Sequence, residues 1–266
     1  MRLRLCIAVL LACAGPVHAQ PKGDEPPAVV VTALRNPVAK SYRRIVAGME
    51  RFEKRHDLAP AASLRFRLLP RHRDTNMEDV EVEIVGDSVT IPVEVARDHT
   101  FVLERHRVAL KEDAAVMPNR KARTMTWRAD IRTPGLPPNT RRLGDLRLEC
   151  EVGMTAGLIS NHPANPFARL LALVPEGPEY CGCPAPRYLF FAERPLFSVV
   201  LVSGARRQVQ PVDMLYAGAS GDPRWKEDLS YCDCEVLVDR AYFLPLGDRS
   251  WPDETLVEFE YMDERQ

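Results

Sequence analysis

The chain has 266 residues, of which 45% are hydrophobic and 27% charged, and its net charge is −1 at pH 7. That apolar content is ordinary for a folded chain and excludes a wholly disordered polymer. The balanced charge, with basic residues not interleaved with aromatics, argues against a nucleic-acid partner.

Met1-Arg-Leu-Arg opens the chain with positive charge, Leu5–Ala14 is apolar, and Val17-His18-Ala19 places small residues ahead of Gln20. Residues 1–19 therefore read as a secretory signal peptide. The apolar run is shorter than the ~20 residues a spanning helix needs, and no later stretch approaches that length. The sequence predicts an exported chain, periplasmic or secreted, without a transmembrane segment. Leu10-Leu11-Ala12-Cys13 resembles the lipobox of bacterial lipoproteins, so a lipid anchor on Cys13 is the alternative address.

Residues 20–35 form a polar, proline-containing linker that ends in a short β-like run, Val29–Thr32. Asn36-Pro37 reads as a helix cap followed by proline at the first helical position. Tyr42, Ile45, Val46, Met49, Phe52 and His56 then recur at helical spacing, which predicts an amphipathic helix over 36–60 that covers a sheet.

From Leu64 the period changes to two. Leu64–Leu68, Val80–Ile84, Thr90–Val95, Thr100–Leu103 and Thr124–Ile131 read as short strands divided by Gly, Pro and Asp. Thr133–Thr140 is a rigid, proline-rich loop, and Asp145–Val152 alternates again, with Leu146, Leu148, Cys150 and Val152 on one face of a further strand. The pattern predicts a first antiparallel β-sandwich over 61–153. Asn165-Pro166 repeats the helix-start pair, so 154–187 reads as a helical connector. Tyr188–Phe191, Phe197–Val202, Cys234–Val238, Tyr242–Leu244 and Thr255–Tyr261 then give a second sandwich over 188–266.

Charge is divided unevenly along this order. From Gln20 to Arg142 there are 23 Lys and Arg against 17 Asp and Glu, and from Leu143 onward 11 against 20. The halves either attract one another or, more simply, present solvated faces. They also echo each other. Residues 94–116 and 235–257 align without a gap, matching Glu94 to Glu235, Val95 to Val236, Asp98 to Asp239, Leu103 to Leu244 and Val116 to Val257. Phe101 meets Tyr242 in the same alignment. An internal repeat of a β unit is the expectation.

The stretch "IPVEVARDHTFVLE" resembles the transthyretin-type, immunoglobulin-like β-sandwiches of carboxypeptidase regulatory-like modules, and "RRLGDLRLEC" is similar to their closing strand. The resemblance covers 65–150 and, more loosely, 188–261. It implies binding or spacer units without a catalytic site.

The histidines (His18, His56, His72, His99, His106 and His162) show no ligand spacing. His99 and His106 flank a hairpin and read as surface residues, and Asp98 and Asp239 read as turn formers. Gly-x-Ser-x-Gly, phosphate-loop, His-Glu-x-x-His and dinucleotide patterns are missing from the sequence. The cysteines carry the remaining chemistry. After signal removal Cys150, Cys181, Cys183, Cys232 and Cys234 are left, arranged as "YCGC" at 180–183, "YCDC" at 231–234 and one single residue.

Export favours disulfides among these five, with an odd sulfur left over. A bond between the two paired motifs would close a loop of about 50 residues, worth ~4 kcal/mol, and another would reach Cys150. The alternative is a zinc or copper site built from the thiolates of Cys181, Cys183, Cys232 and Cys234, although one intervening residue is fewer than common zinc knuckles use. A thiol-redox enzyme is a third reading, with Cys-x-Cys in place of the usual Cys-x-x-Cys at a helix start.

The sequence thus predicts a mainly β, exported protein of two small immunoglobulin-like sandwiches with an N-terminal helix and a helical connector. Its expected role is non-catalytic binding or scaffolding in the cell envelope, without a cofactor, for an unidentified protein or other envelope partner.

Overall fold

Strand β1 (Lys40–Ser41) runs directly into helix α1 (Tyr42–Lys54). The Ser41 hydroxyl caps the helix by accepting from the Arg44 N–H at 3.3 Å, and Tyr42, Ile45 and Val46 bury the apolar stripe. Asn36-Pro37 lies outside the described residues. The computed structural model describes residues 39–121, 124–158, 177–183, 188–216 and 237–262, all within one unit spanning Leu34–Gln266.

The first half continues with β2 (Ser63–Pro70), the hairpin β3 (Val82–Val85) and β4 (Thr90–Val93), β5 (Thr100–Phe101), the short helix α2 (Arg107–Lys111) and β6 (Ala115–Pro118). β7 (Met125–Arg132) then crosses back and pairs with β2 along its whole length. The second half holds β8 (Thr140–Arg142), α3 (Leu143–Thr155), β9 (Phe190–Phe191), the hairpin β10 (Leu196–Ser203) and β11 (Arg206–Val209), β12 (Ala241–Tyr242) and β13 (Leu256–Tyr261).

The described protein is mostly β, in several antiparallel sheets, with three helices. Its two four-stranded sheets have the same plan. The first is ordered β1-β6-β3-β4 and the second β8-β13-β10-β11, and in each the first edge strand leads into a 13-residue helix. The registers agree rung by rung. Lys40–Val116–Ile84–Ile91 in the first sheet has its counterpart in Arg141–Val257–Leu201–Gln208 in the second. The smaller ladders correspond too: Phe66 faces Phe101 where Phe190 faces Tyr242. Phe101 and Tyr242, and Val116 and Val257, which the gapless sequence alignment pairs, therefore stand at matching positions. The halves differ between those points, where α2 occupies the first and a turn at Leu246–Trp251 the second.

The stretch Asp145–Val152, read from its alternation as a closing strand, is instead the centre of α3. Its period of two does not mark one wet and one dry face, because Leu143–Gly153 is buried on every side. Apolar Leu146, Leu148, Cys150 and Val152 enter the cores, while the alternating charges, themselves buried, are each paired. Asp145 accepts from the Thr133 N–H at 2.7 Å, and Arg147 donates to the carbonyls of Leu246, Asp248 and Trp251 at 2.8–3.0 Å. Glu149 meets Arg141, and Glu151 meets Arg51 and Arg55 at 2.8 Å.

α3 packs on α1 at Gly48, where a Cβ would stand 2.8 Å from the Ala156 Cβ and 3.3 Å from the Val152 carbonyl oxygen. Only glycine lets the two backbones approach so closely. One core forms around Tyr42, Phe66, Phe101 and Trp127, with Leu148 and Val152 of α3 reaching into it. The other gathers Leu143, Leu146, Phe190, Tyr242, Trp251 and Val257. Among the described residues no helix is long and apolar enough to cross a membrane.

Candidate functional site

Cys150 on α3 and Cys181 in the 3-10 turn Pro178–Gly182 are joined by a disulfide, with Cα atoms 5.9 Å apart. The turn seats Cys181 against the second core. Cys183 follows as a free, half-buried thiol whose sulfur lies 3.7 Å from the Glu179 carbonyl oxygen. Cys13, Cys232 and Cys234 lie outside the described residues. A sulfur committed to Cys150 is not a thiolate, so Cys181 has no lone thiolate to give a metal while the bond stands. Among the described residues no three His, Cys, Asp or Glu side chains are grouped to hold a metal ion.

The other residues singled out from sequence have local duties. Asp98 accepts from the Thr100 N–H and hydroxyl at 3.2 and 2.7 Å, closing the turn before β5. His99 sits in that turn at φ 61°, and His106 caps α2 by accepting from the Ala109 N–H at 3.4 Å. Asp239, in the 3-10 turn Val238–Arg240, pairs with Arg73 of the first half.

Chemistry converges elsewhere, on the polar face of β7. Met125, Trp127, Ala129 and Ile131 face the first core, so Thr126, Arg128 and Asp130 point the other way, yet these are buried too. Tyr188–Phe191 and Tyr242 of the second half come over them, around a small cavity also lined by Arg67, Arg132, Arg141 and Glu149. Asp130 binds Arg67 at 3.0 Å and Arg132 at 2.8 Å. Glu149 accepts from the buried Arg141 guanidinium and from the Ile131 N–H at 2.8 Å. Arg141 also donates to the Ile131 carbonyl at 2.6 Å, using the same nitrogen, Nη2, for both bonds.

The two carboxyls are tuned in opposite directions. Burial pushes Asp130 up, but the guanidiniums of Arg141, Arg132 and Arg67 outweigh it and hold the group below the usual carboxylate range. For Glu149 burial prevails over the pull of Arg141, and the neighbouring Asp130 charge adds to it, so its carboxyl is raised. Burial also raises the Tyr242 hydroxyl. Sequence reading missed all six charged groups, since Arg67, Arg128, Asp130 and Glu149 occupy the polar beats of alternating stretches that normally face water, and Arg132 and Arg141 flank the proline-rich loop.

Arg132, Arg141, Phe191 and Tyr242 also line a larger cavity of about 340 Å³ on the outer side. The Thr133–Thr140 loop forms its wall with Pro134, Leu136, Pro137 and Pro138, while Phe259 and Tyr261 of β13 complete an aromatic floor. Both ends of the loop are fixed. Asp145 holds Thr133, and the Asn139 carbonyl accepts from the Phe259 N–H at 2.9 Å. A second cavity of about 520 Å³ lies in the first half beside β4, lined by Ile84, Ile91, Val93 and Val102 with Arg105 and His106. The buried charge cluster with its displaced carboxyl ionisations adjoins the first cavity, which makes that one the stronger candidate. Comparison with protein-family models, with curated proteins and with solved structures finds no match to this chain.

Proposed function

We propose that the protein is an exported, non-catalytic binding protein of the cell envelope, and that the cavity beneath the Thr133–Thr140 loop takes a small ligand with a flat apolar body. The observation that carries this reading is the cavity itself. Its 340 Å³ is within the usual range of small-molecule sites, and aromatic and proline side chains surround a few converging polar groups. Tethering at Asp145 and Asn139 gives the wall a fixed shape, which lowers the ordering cost of binding. The Cys150–Cys181 bond supports the cross-linked, exported reading over the thiolate quartet, because it uses one of the four sulfurs that a metal site would need.

The test is ligand-observed NMR on the mature protein with a panel of naphthoate, indole and benzoate probes. Saturation transfer to at least one probe is expected, and Leu136→Trp, which fills the cavity from its wall, is expected to abolish it without lowering Tm. No transfer from any probe, or equal transfer in wild type and L136W, would overturn the assignment.

A further inference from the structure

The cavity beneath the Thr133–Thr140 loop has its charges settled and two of its hydroxyls not. Arg132 pairs with Asp130 and Glu193, Arg141 pairs with Glu149, and Asp145 holds Thr133 through both carboxylate oxygens. Each of the four charged side chains in the lining, Arg132, Arg141, Asp145 and Glu193, therefore has a partner. Tyr242 and Tyr261 line the same cavity, and neither hydroxyl makes a hydrogen bond among the described residues.

Tyr242 is the more constrained of the two. It is only 2% exposed, with Phe190 stacked on its ring at 5.3 Å and Phe259 meeting the ring steeply at 5.2 Å. The groups that act on its hydroxyl, Arg141, Glu149, Tyr261 and Arg132, all line this cavity or the small one behind it. The hydroxyl thus belongs to the wall that the two cavities share. Burial holds both phenols above their ordinary range, so each keeps its proton at neutral pH. Buried tyrosine hydroxyls normally find a partner, and one whose hydrogen has no acceptor carries the cost of its lost hydration.

Resting on the reading that this cavity takes a flat apolar ligand, we infer that the ligand is neutral and carries a carbonyl that accepts from the Tyr242 hydroxyl, as an aryl ketone or fused-ring lactone would. A carboxylate could accept the same hydrogen, but every cation of the lining is already paired, so its buried charge would go uncompensated. A ligand hydroxyl would bring its own hydrogen, which needs an acceptor in turn. Water is the competing acceptor. A carbonyl on an apolar body displaces it, keeps the bond, and covers Leu136, Pro137 and Phe259 as well. Because the Tyr242 ring is locked by its neighbours, the donor is in place before the ligand arrives.

The experiment is an NMR titration of the mature protein with three probes of one shape: 2-acetylnaphthalene, 2-naphthoate and 2-ethylnaphthalene. The ketone is expected to bind about 10-fold or more tightly than the carboxylate. Tyr242→Phe is expected to weaken the ketone about 5-fold or more, while ethylnaphthalene changes by less than about 2-fold. The infrared carbonyl stretch of the bound ketone should lie below its position in hexane and move back in Y242F. The wild-type spectrum alone decides the matter should the variant not fold, since an unshifted carbonyl would overturn the inference. Naphthoate as the tightest probe, or equal losses for ketone and ethylnaphthalene in Y242F, would also overturn it and leave the cavity as a ligand site. Binding of none of the three would remove both the inference and the reading on which it rests.

Discussion

Asp130 and Glu149 illustrate how environment rather than residue type sets a carboxyl's state. Asp130 faces three guanidiniums, and its ionisation is pulled down against the effect of burial; Glu149 has one, and burial wins. The consequence for stability follows in sign. With its folded pKa depressed, Asp130 adds stability that is fully present above its unfolded value of about 4 and is lost as pH falls through the folded value. In that window the unfolded chain binds more protons than the folded one. Glu149 acts oppositely: its contribution is present below about 4 and is lost as pH rises through its own raised value. Asp130→Asn is expected to cost about 2 kcal/mol at pH 7, since it strands the partly buried guanidiniums of Arg67 and Arg132, and to flatten the fall in stability below pH 4. Urea unfolding of both proteins from pH 2.5 to 8 checks this. Parallel curves would show that Asp130 is not the residue responsible for the acid limb. None of this was legible in the sequence, because a charge on alternate strand positions looks the same whether its face meets water or another half of the molecule.

The elements divide by how far their pattern had a single meaning. α1 was readable because one stripe is apolar and the opposite face is solvated, although its cap is Ser41 and not a residue further upstream. Eight-residue β2 and β7 and the β3–β4 hairpin were readable from alternation and turn residues. α3 was not. Burial on all sides removes the stripe, and the Asp-x-Arg-x-Glu-x-Glu sequence imitates a half-exposed strand. The disulfide depends on this helix: as part of α3, Cys150 is presented to the 3-10 turn that carries Cys181. The bond spans a sequence separation of 31, and its loss is worth about 3–4 kcal/mol in the chain-entropy model. Replacing both cysteines, Cys150→Ala with Cys181→Ala, should lower the free energy of unfolding by that amount or more. Wild type with dithiothreitol should approach the double variant. A double variant as stable as the oxidised wild type would mean that the pair is not bonded in the native protein.

At the scale of the molecule, two sheets of one plan are joined by parts that neither half could satisfy alone. Glu151 of α3 depends on Arg51 and Arg55 of the first half, and the covered polar face of β7 depends on Tyr188–Phe191 and Tyr242 of the second. The charge imbalance between the halves is thus partly spent in pairs across this seam, such as Arg73 with Asp239 and Arg132 with Glu193, though many charges stay on solvated faces. Shared buried ion pairs and the α1–α3 contact tie the two cores into one cooperative unit, because opening either half exposes the charged seam of both. The cores carry their own reporters: Trp127 lies wholly within the first and Trp251 within the second. With Trp225 replaced by Phe, the variants Trp127→Phe and Trp251→Phe each retain a single reporter. Their fluorescence transitions in urea, corrected for the cost of the substitution by comparison with circular dichroism of the same variant, should coincide with the loss of secondary structure. If the Trp251 signal moved well before the circular dichroism, the second half would unfold independently, and the buried charges would have to be satisfied within each half separately. Coincidence in both variants would instead mark the charged seam as the place where the two similar sheets become one fold.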